Sequence, residues 1–292
     1  MTSSRFDLRG KVAIVTGGNG GIGLGMARGL ADAGADIAVV GRNETKSAAA
    51  VSDLRQRGVK AIAVTTDVTD KAAVAAMIER VVGELGRIDV LINNAGMSIR
   101  KPPHELELDE WNKVIDTNLT SAFVCSKLAY PALKASGNGK VINIGSMMSI
   151  FGASFATAYA ASKGGIVQYT RACANAWAPD NIQVNAILPG WIDTDLTRGA
   201  RQQVSGLHER VLARTPAGRW GDIDDFAGIA VFLASPASNF VTGTAIPVCQ
   251  SAFDWDPLSA SKRDPFDRRA LLVALGSSEL VGVAETARAR VV

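Results

Sequence analysis

Two side chains four residues apart open the functional reading. Tyr159 and Lys163 share one face of any helix that holds them both. An ammonium near a phenol favours the phenolate and lowers its pKa. Moving a phenol from its ordinary ~10 to ~7 takes roughly 4 kcal/mol of differential stabilisation. A tyrosine so tuned both gives and takes a proton near neutral pH. Isolated Tyr-x-x-x-Lys pairs are common, so the setting carries the weight: Ala158-Tyr-Ala-Ala-Ser-Lys-Gly-Gly165 is a run of small residues that leaves room for a ligand. Ser146 follows the apolar run Lys140-Val-Ile-Asn-Ile-Gly145. At the carboxyl end of a central parallel strand it would face the crevice where ligands bind. Spacing alone reads it as a loop serine.

The second chemistry is anion binding. Thr16-Gly-Gly-Asn-Gly-Gly-Ile-Gly23 joins a β-branched run to a helical pattern. Residues without Cβ allow positive φ and close approach of backbone to a phosphate. The helix that follows offers free N–H groups and a positive dipole end. A tight turn without a ligand is the plain alternative, and the strand-before, helix-after context argues against it. The second strand ends Val39-Val40-Gly41-Arg42-Asn43, with no carboxylate before Glu44. An acid there would bind a ribose 2′-OH, whereas an arginine accommodates a 2′-phosphate. Arg42 therefore favours NADP(H) over NAD(H), with a solvated arginine or one stacked on adenine as the alternatives.

These residues need a scaffold. Strands are expected over 11–16, 36–40, 59–65, 88–92, 140–144, 182–188 and 244–248. Helices are expected over 22–33, 44–56, 71–85, 109–134, 157–178 and 222–233. The alternation implies βαβ units: an α/β, doubly wound, Rossmann-like parallel sheet with helices on both faces. No linker divides residues 1–248, so one dinucleotide-binding catalytic domain is expected there, with a substrate lid at about 190–215. Residues 249–292 lose the alternation and read as an atypical tail, disordered or altered in reading frame.

Composition narrows the classes. The chain has 292 residues, 31 Lys+Arg against 28 Asp+Glu, and 47% hydrophobic residues. That balance does not suggest a nucleic-acid binder, and the apolar content is globular. Cys125, Cys173 and Cys249 form neither a metal spacing nor a disulfide framework, so no metal and a reducing compartment are expected. No apolar segment reaches a membrane span of ~18 residues, and the first residues lack the pattern of a secretory signal. A cytoplasmic protein with a small-molecule substrate, and no nucleic-acid or membrane partner, is the expectation.

Taken together, the ordered motifs resemble the short-chain dehydrogenase/reductase family over residues 11–248. Residues 16–23 resemble its cofactor turn, with Gly17, Asn19, Gly21, Ile22 and Gly23. Asn93-Asn-Ala-Gly96 resembles its motif after the fourth strand, which brings in Asn94, Ala95 and Gly96. Asp67 and Val68 resemble the pair near adenine. Asn118, in Asp116-Thr-Asn-Leu, resembles its helix asparagine. Pro189-Gly-Trp-Ile-Asp-Thr194 resembles the segment that meets the nicotinamide, with Pro189, Gly190, Ile192 and Thr194. The resemblance implies an oxidoreductase that interconverts a secondary alcohol and a ketone. Tyr159 would transfer the proton. Lys163 would lower its pKa and hold the ribose hydroxyls, Ser146 would orient the substrate oxygen, and Asn118 would position a water. It also implies a homo-oligomer, a tetramer or dimer.

Two departures stand out. After Thr242-Gly-Thr-Ala-Ile-Pro-Val248 the family's Asp-Gly-Gly is replaced by Cys249-Gln-Ser and 41 further residues, which puts the subunit interface in doubt. Asn19-Gly20 stands where many NADP-preferring members carry a basic residue. For the substrate, residues 97–100 and 147–150 and Trp191 are expected to form the pocket, with Ser146, Met148 and Trp191 as contacts. Arg100, Lys101, Arg198 and Arg201 read as solvated charges ahead of carboxylate ligands. His104 and His208 read as surface or lid residues. Arg214-Thr-Pro-Ala-Gly-Arg-Trp-Gly221 is similar to members acting on gluconate-type acids, so a sugar, sugar acid or similar alcohol is expected. The alternatives are a non-catalytic dinucleotide sensor on the same fold, for which the four polar residues would be superfluous, and a methyltransferase, for which Arg42 is wrong.

Overall fold

A computed structural model of the chain describes residues 4–248. Seven strands form one parallel sheet: β1 (Val12–Thr16), β2 (Asp36–Gly41), β3 (Ala61–Thr65), β4 (Val90–Asn93), β5 (Gly139–Ile144), β6 (Ile182–Pro189) and β7 (Ala245–Val248), in the order β3-β2-β1-β4-β5-β6-β7. β1, β4, β5 and β6 are buried along their whole length. A strand covered on both faces needs a continuous apolar run, and Val-Ala-Ile-Val is one. Alternation still sorts the side chains, with Ala13 and Val15 on one face and Val12 and Ile14 on the other.

The first face is covered by α1 (Gly21–Asp32), α2 (Glu44–Arg55) and α9 (Ala227–Ala234), through residues such as Met26, Leu30, Leu54 and Leu233. The second is covered by α3 (Lys71–Leu85), α5 (Ser121–Ala135) and α6 (Thr157–Trp177), through Met77, Val81, Leu133 and Ala174. The chain moves outward from β1 to β2 and β3, then returns to β4 and continues to the other edge. The order reverses between β1 and β4, which opens the ligand crevice at their carboxyl ends.

Two features lock the elements that carry the site. α1 packs backbone to backbone against the turn Ile223–Phe226 and α9. A Cβ on Gly25 would lie 2.0 Å from the Ile223 carbonyl oxygen, and one on Gly29 would lie 2.7 Å from Ala227 Cα. In the core, Asn93 Nδ2 donates to Ser126 Oγ (2.9 Å) and to Asn143 Oδ1 (2.8 Å), and Asn143 Nδ2 donates to Thr170 Oγ1 (2.9 Å). These bonds tie β4 and β5 to α5 and α6.

The helix expected over 109–134 is interrupted. It runs as α4 (Leu108–Ile115), a π-helical turn over Asp116–Thr120, and then α5. The extra residue in that turn accompanies Asn118, whose side chain bonds to the Met97 backbone. The helix expected over 222–233 begins as the 3-10 turn Ile223–Phe226 before α9. The region read as a lid contains α7 (Asp195–Gln203) and α8 (Leu207–Arg214). The tail from residue 249 lies outside the described residues. Among those residues, no helix is long and apolar enough to cross a membrane.

The Gly25 contact is backbone on backbone and has no flexible side chain to yield. Gly25→Ala should therefore lower the unfolding free energy by about 1–3 kcal/mol, read from the urea midpoint at unchanged slope. A midpoint equal to that of the wild type would contradict the packing.

Candidate active site

Ser146, Tyr159 and Lys163 converge at the carboxyl end of β5. Ser146 begins the short turn Met147–Ser149, its hydroxyl accepting from the Met148 amide at 3.1 Å. Ser149 Oγ donates to the Lys163 carbonyl (2.5 Å) and accepts from the Ser146 amide (3.1 Å), so this turn is stapled to α6. Asn118, itself buried, is fixed from three sides. Its Oδ1 accepts from the Met97 amide at 2.8 Å, and its Nδ2 donates to the Met97 carbonyl (2.9 Å) and to Ser162 Oγ (3.0 Å). Ser162 Oγ in turn donates to the Tyr159 carbonyl at 2.7 Å. Asn118 thus braces the turn of α6 that holds Tyr159.

The electrostatics depart from what spacing suggested. Lys163 Nζ donates to the Ile144 carbonyl at 2.6 Å and stands 5.6 Å from the centre of the Tyr159 ring, over its face. Burial lowers the Lys163 ammonium to about 8. Tyr159 is displaced upward and not downward: burial raises it, while the Ser146 side chain and the Arg100 guanidinium pull the other way. In this geometry the groups that ease ionisation are Ser146 and Arg100, while one donor of the Lys163 ammonium is directed at the Ile144 carbonyl.

The glycine turn is held by its neighbours. Thr16 Oγ1 accepts from the amides of Asn94 (3.0 Å) and Ala95 (3.1 Å). Asn94 Nδ2 donates to the carbonyls of Thr16 (3.0 Å) and Gly17 (3.2 Å). Gly17 and Gly21 take φ of 65° and 52°, which glycine alone adopts readily. A Cβ on Gly23 would meet the Gly17 carbonyl oxygen at 2.3 Å, and one on Gly96 would come 3.3 Å from Asn118 Oδ1. No side chain caps the start of α1, and a Cβ on Gly20 would point into open space. Ile22 lies in that first turn. The exposed amides, the open approach and the positive helix end fit a dinucleotide diphosphate.

The remaining expected contacts divide. Arg42 is largely exposed and its Nη1 lies 3.6 Å from Asp67 Oδ2, so the two sit together at the β2–β3 edge of the crevice. Asp67 is held below its ordinary value by the amide and hydroxyl of Thr69 and, after them, by Arg42. Val68 is buried in the core. Asn19 does not point outward; its Nδ2 donates to Ser47 Oγ at 3.0 Å, joining the turn to α2. Ile192 is buried and pairs with Gly221. Thr194 caps α7 and lies across from Gly21.

A pocket opens beside Tyr159. Ser146, Met148, Pro189, Gly190 and Trp191 line it, as do Arg100 and Leu196. The placement of Arg100 corrects its reading as a solvated charge. It is half-buried, its Nη2 donates to the Leu196 carbonyl (2.9 Å) and its Nη1 to Gln203 Oε1 (3.1 Å). Lys101 pairs with Glu110, and Arg198 and Arg201 pair with Asp193. Arg100 carried no spacing signal, since it reaches the site by packing; Ser162 lies three residues after Tyr159 on α6, and its bond to Asn118 is what spacing does not show.

Proton-transfer groups set beside a phosphate cradle at the switch of a doubly wound sheet are the arrangement of an oxidoreductase that works with a dinucleotide. A family model described as enoyl-(acyl carrier protein) reductase matches residues 17–250. The 2-dehydro-3-deoxy-D-gluconate 5-dehydrogenase of Escherichia coli K12 is 43% identical over 249 residues, covering 85% of this chain and 97% of the relative. The 5-keto-D-gluconate 5-reductase of the same organism is 41% identical over 238 residues, covering 82% and 93%. The crystal structure of a gluconate 5-dehydrogenase from Burkholderia cenocepacia J2315, in complex with NADP and tartrate, is 40% identical with a TM-score of 0.79, covering 84% and 96%. The chain belongs to the short-chain dehydrogenase/reductase family.

Ser146 and Arg100 both draw the phenol toward ionisation, so removing either should move its titration to higher pH. The check is phenolate absorbance of Ser146→Ala and of Arg100→Met, each read against the same variant carrying Tyr159→Phe. An unmoved or lowered titration would contradict the assignment.

Proposed function

We propose that the protein interconverts a secondary alcohol and a ketone on a sugar acid, using NADP(H). The observation that carries the substrate class is Arg100, which lines the pocket together with Tyr159 and Ser146. A cation facing a proton-transfer group across a small pocket suits a carboxylate at one end of the substrate and the reacting oxygen at the other. The relatives named for gluconate-type acids point the same way.

In this reading the bound nicotinamide supplies the hydride acceptor or donor. Tyr159 moves the proton at the substrate oxygen. Its raised pKa keeps it protonated at neutral pH, which suits ketone reduction. Alcohol oxidation needs the phenolate and should accelerate as pH rises. Ser146 orients the substrate oxygen, and Met148 and Trp191 wall the pocket. Lys163 holds the ribose hydroxyls, and Asn118 fixes the backbone around it and positions a water. Gly17, Gly21, Ile22 and Gly23 cradle the diphosphate. Arg42 takes the 2′-phosphate, with NAD(H) the weaker alternative. Asp67 and Val68 border the adenine. Asn94, Ala95 and Gly96 lie under the ribose, and Pro189, Gly190, Ile192 and Thr194 meet the carboxamide. Asn19 acts indirectly, by holding the turn against Ser47.

Residues 1–248 act as one catalytic domain in this proposal, with the lid at about 190–215, in a cytoplasmic homo-oligomer. Leu108 and Phe123, exposed on α4 and α5, supply apolar surface for a dimer or tetramer contact.

Two measurements test the reading. Arg42→Ala should weaken NADPH binding about 10- to 100-fold, the loss of one charge-assisted bond, and leave NADH unchanged in a fluorescence titration. Equal effects on both cofactors would make Arg42 a bystander. Arg100→Met should raise KM for 5-keto-gluconate by about 10- to 100-fold, with little change for a neutral ketose. A similar change for both would remove the carboxylate role.

A further inference from the structure

The lid segment is a small folded unit with its own core. Its base is closed by backbone: the Gly221 amide donates to the Trp191 carbonyl and the Asp193 amide to the Gly221 carbonyl, both at 2.9 Å. Within that closure Ala200, Leu207 and Val211 are buried, and Trp191, Val204 and Trp220 pack against them. Trp220 is the hub. Its ring meets Trp191 edge to face at 5.7 Å. The Arg201 guanidinium lies 4.3 Å from its ring centre, and Arg201 is itself paired to Asp193. Its Nε1 donates to His208 Nδ1 at 3.1 Å. Trp191 lines the pocket and Trp220 does not.

We infer that Trp220 is a positioning residue that sets substrate affinity by holding the Trp191 indole in the pocket wall. Edge-to-face stacking fixes one ring only if the other is itself fixed. Trp220 meets that condition through a cation over its face, a hydrogen bond at its nitrogen and apolar packing beneath. His208 serves here as the acceptor for Trp220. The inference rests on the proposed reduction of 5-keto-gluconate, and a second readout is independent of that substrate.

The test compares wild type, Trp220→Phe and Trp220→Ala with saturating NADPH. For Trp220→Ala we expect KM for 5-keto-gluconate to rise about 10-fold, with kcat and the Kd of NADPH each within about twofold. A disordered fold would move all three. Trp220→Phe, which keeps a ring and the fold, should fall between the two. If Trp220→Ala does not fold, Trp220→Phe with a wild-type KM overturns the inference and a raised KM supports it. Acrylamide quenching of Trp191, read as the difference between each protein and its Trp191→Phe counterpart, needs no substrate. Quenching should increase when Trp220 becomes Ala or Phe, and unchanged quenching overturns the inference. A wild type that binds NADPH yet does not reduce 5-keto-gluconate defeats the substrate reading alone, and the quenching result then decides this one.

Discussion

A doubly wound sheet has one place where neighbouring strands send their chains in opposite directions. Here it lies between β1 and β4. Neither crossover covers the carboxyl ends of both strands, so the backbone there stays reachable. The glycine turn can stand open at that point because Thr16 and Asn94 satisfy it from below, across the gap. Ser146 and Tyr159 reach the same gap from β5 and α6, which Asn93 and Asn143 bind to the central strands. Remove that reversal of strand order and the phosphate cradle and the proton-transfer groups no longer share a cavity.

Within the cavity, burial and hydrogen bonding compete. Enclosure favours a neutral phenol at Tyr159 and depresses the Lys163 ammonium. Ser146 and Arg100 oppose the first effect. The balance leaves a neutral, well-oriented acid with a cation across the pocket. An acid of that kind donates readily to a ketone oxygen as charge develops on it. Trp191 completes the pocket wall, and behind that ring stands Trp220, with the Arg201 guanidinium over its face.

Most of the scaffold was legible from residue pattern. Continuous apolar runs marked strands buried on both faces, and Gly17 and Gly21 marked a turn that needs positive φ. Four kinds of feature were not. The π-helical turn at Asp116–Thr120 accompanies a side-chain bond from Asn118 to the Met97 carbonyl, and periodicity sees only neighbours. Arg100 looked like any surface arginine because its role comes from where residues 97–100 fold back over α7. Trp220 sits beyond the segment read as the lid, and long-range contacts bring it there: the pairing of Ile192 with Gly221 and its own contacts to Trp191, Arg201 and His208. Spacing gave Lys163 and Tyr159 a shared face of α6, but not the Ile144 carbonyl on β5 that the Lys163 ammonium reaches.

The central claim is that Tyr159 moves the proton in a nicotinamide-dependent ketone reduction. It is tested most directly by single-turnover mixing of NADPH-loaded protein with 5-keto-gluconate, for wild type and Tyr159→Phe. The account predicts loss of nicotinamide absorbance with matching loss of ketone in the wild type. It predicts a rate about 10²- to 10⁴-fold lower in the variant, with NADPH affinity unchanged. Equal rates in the two proteins would contradict it.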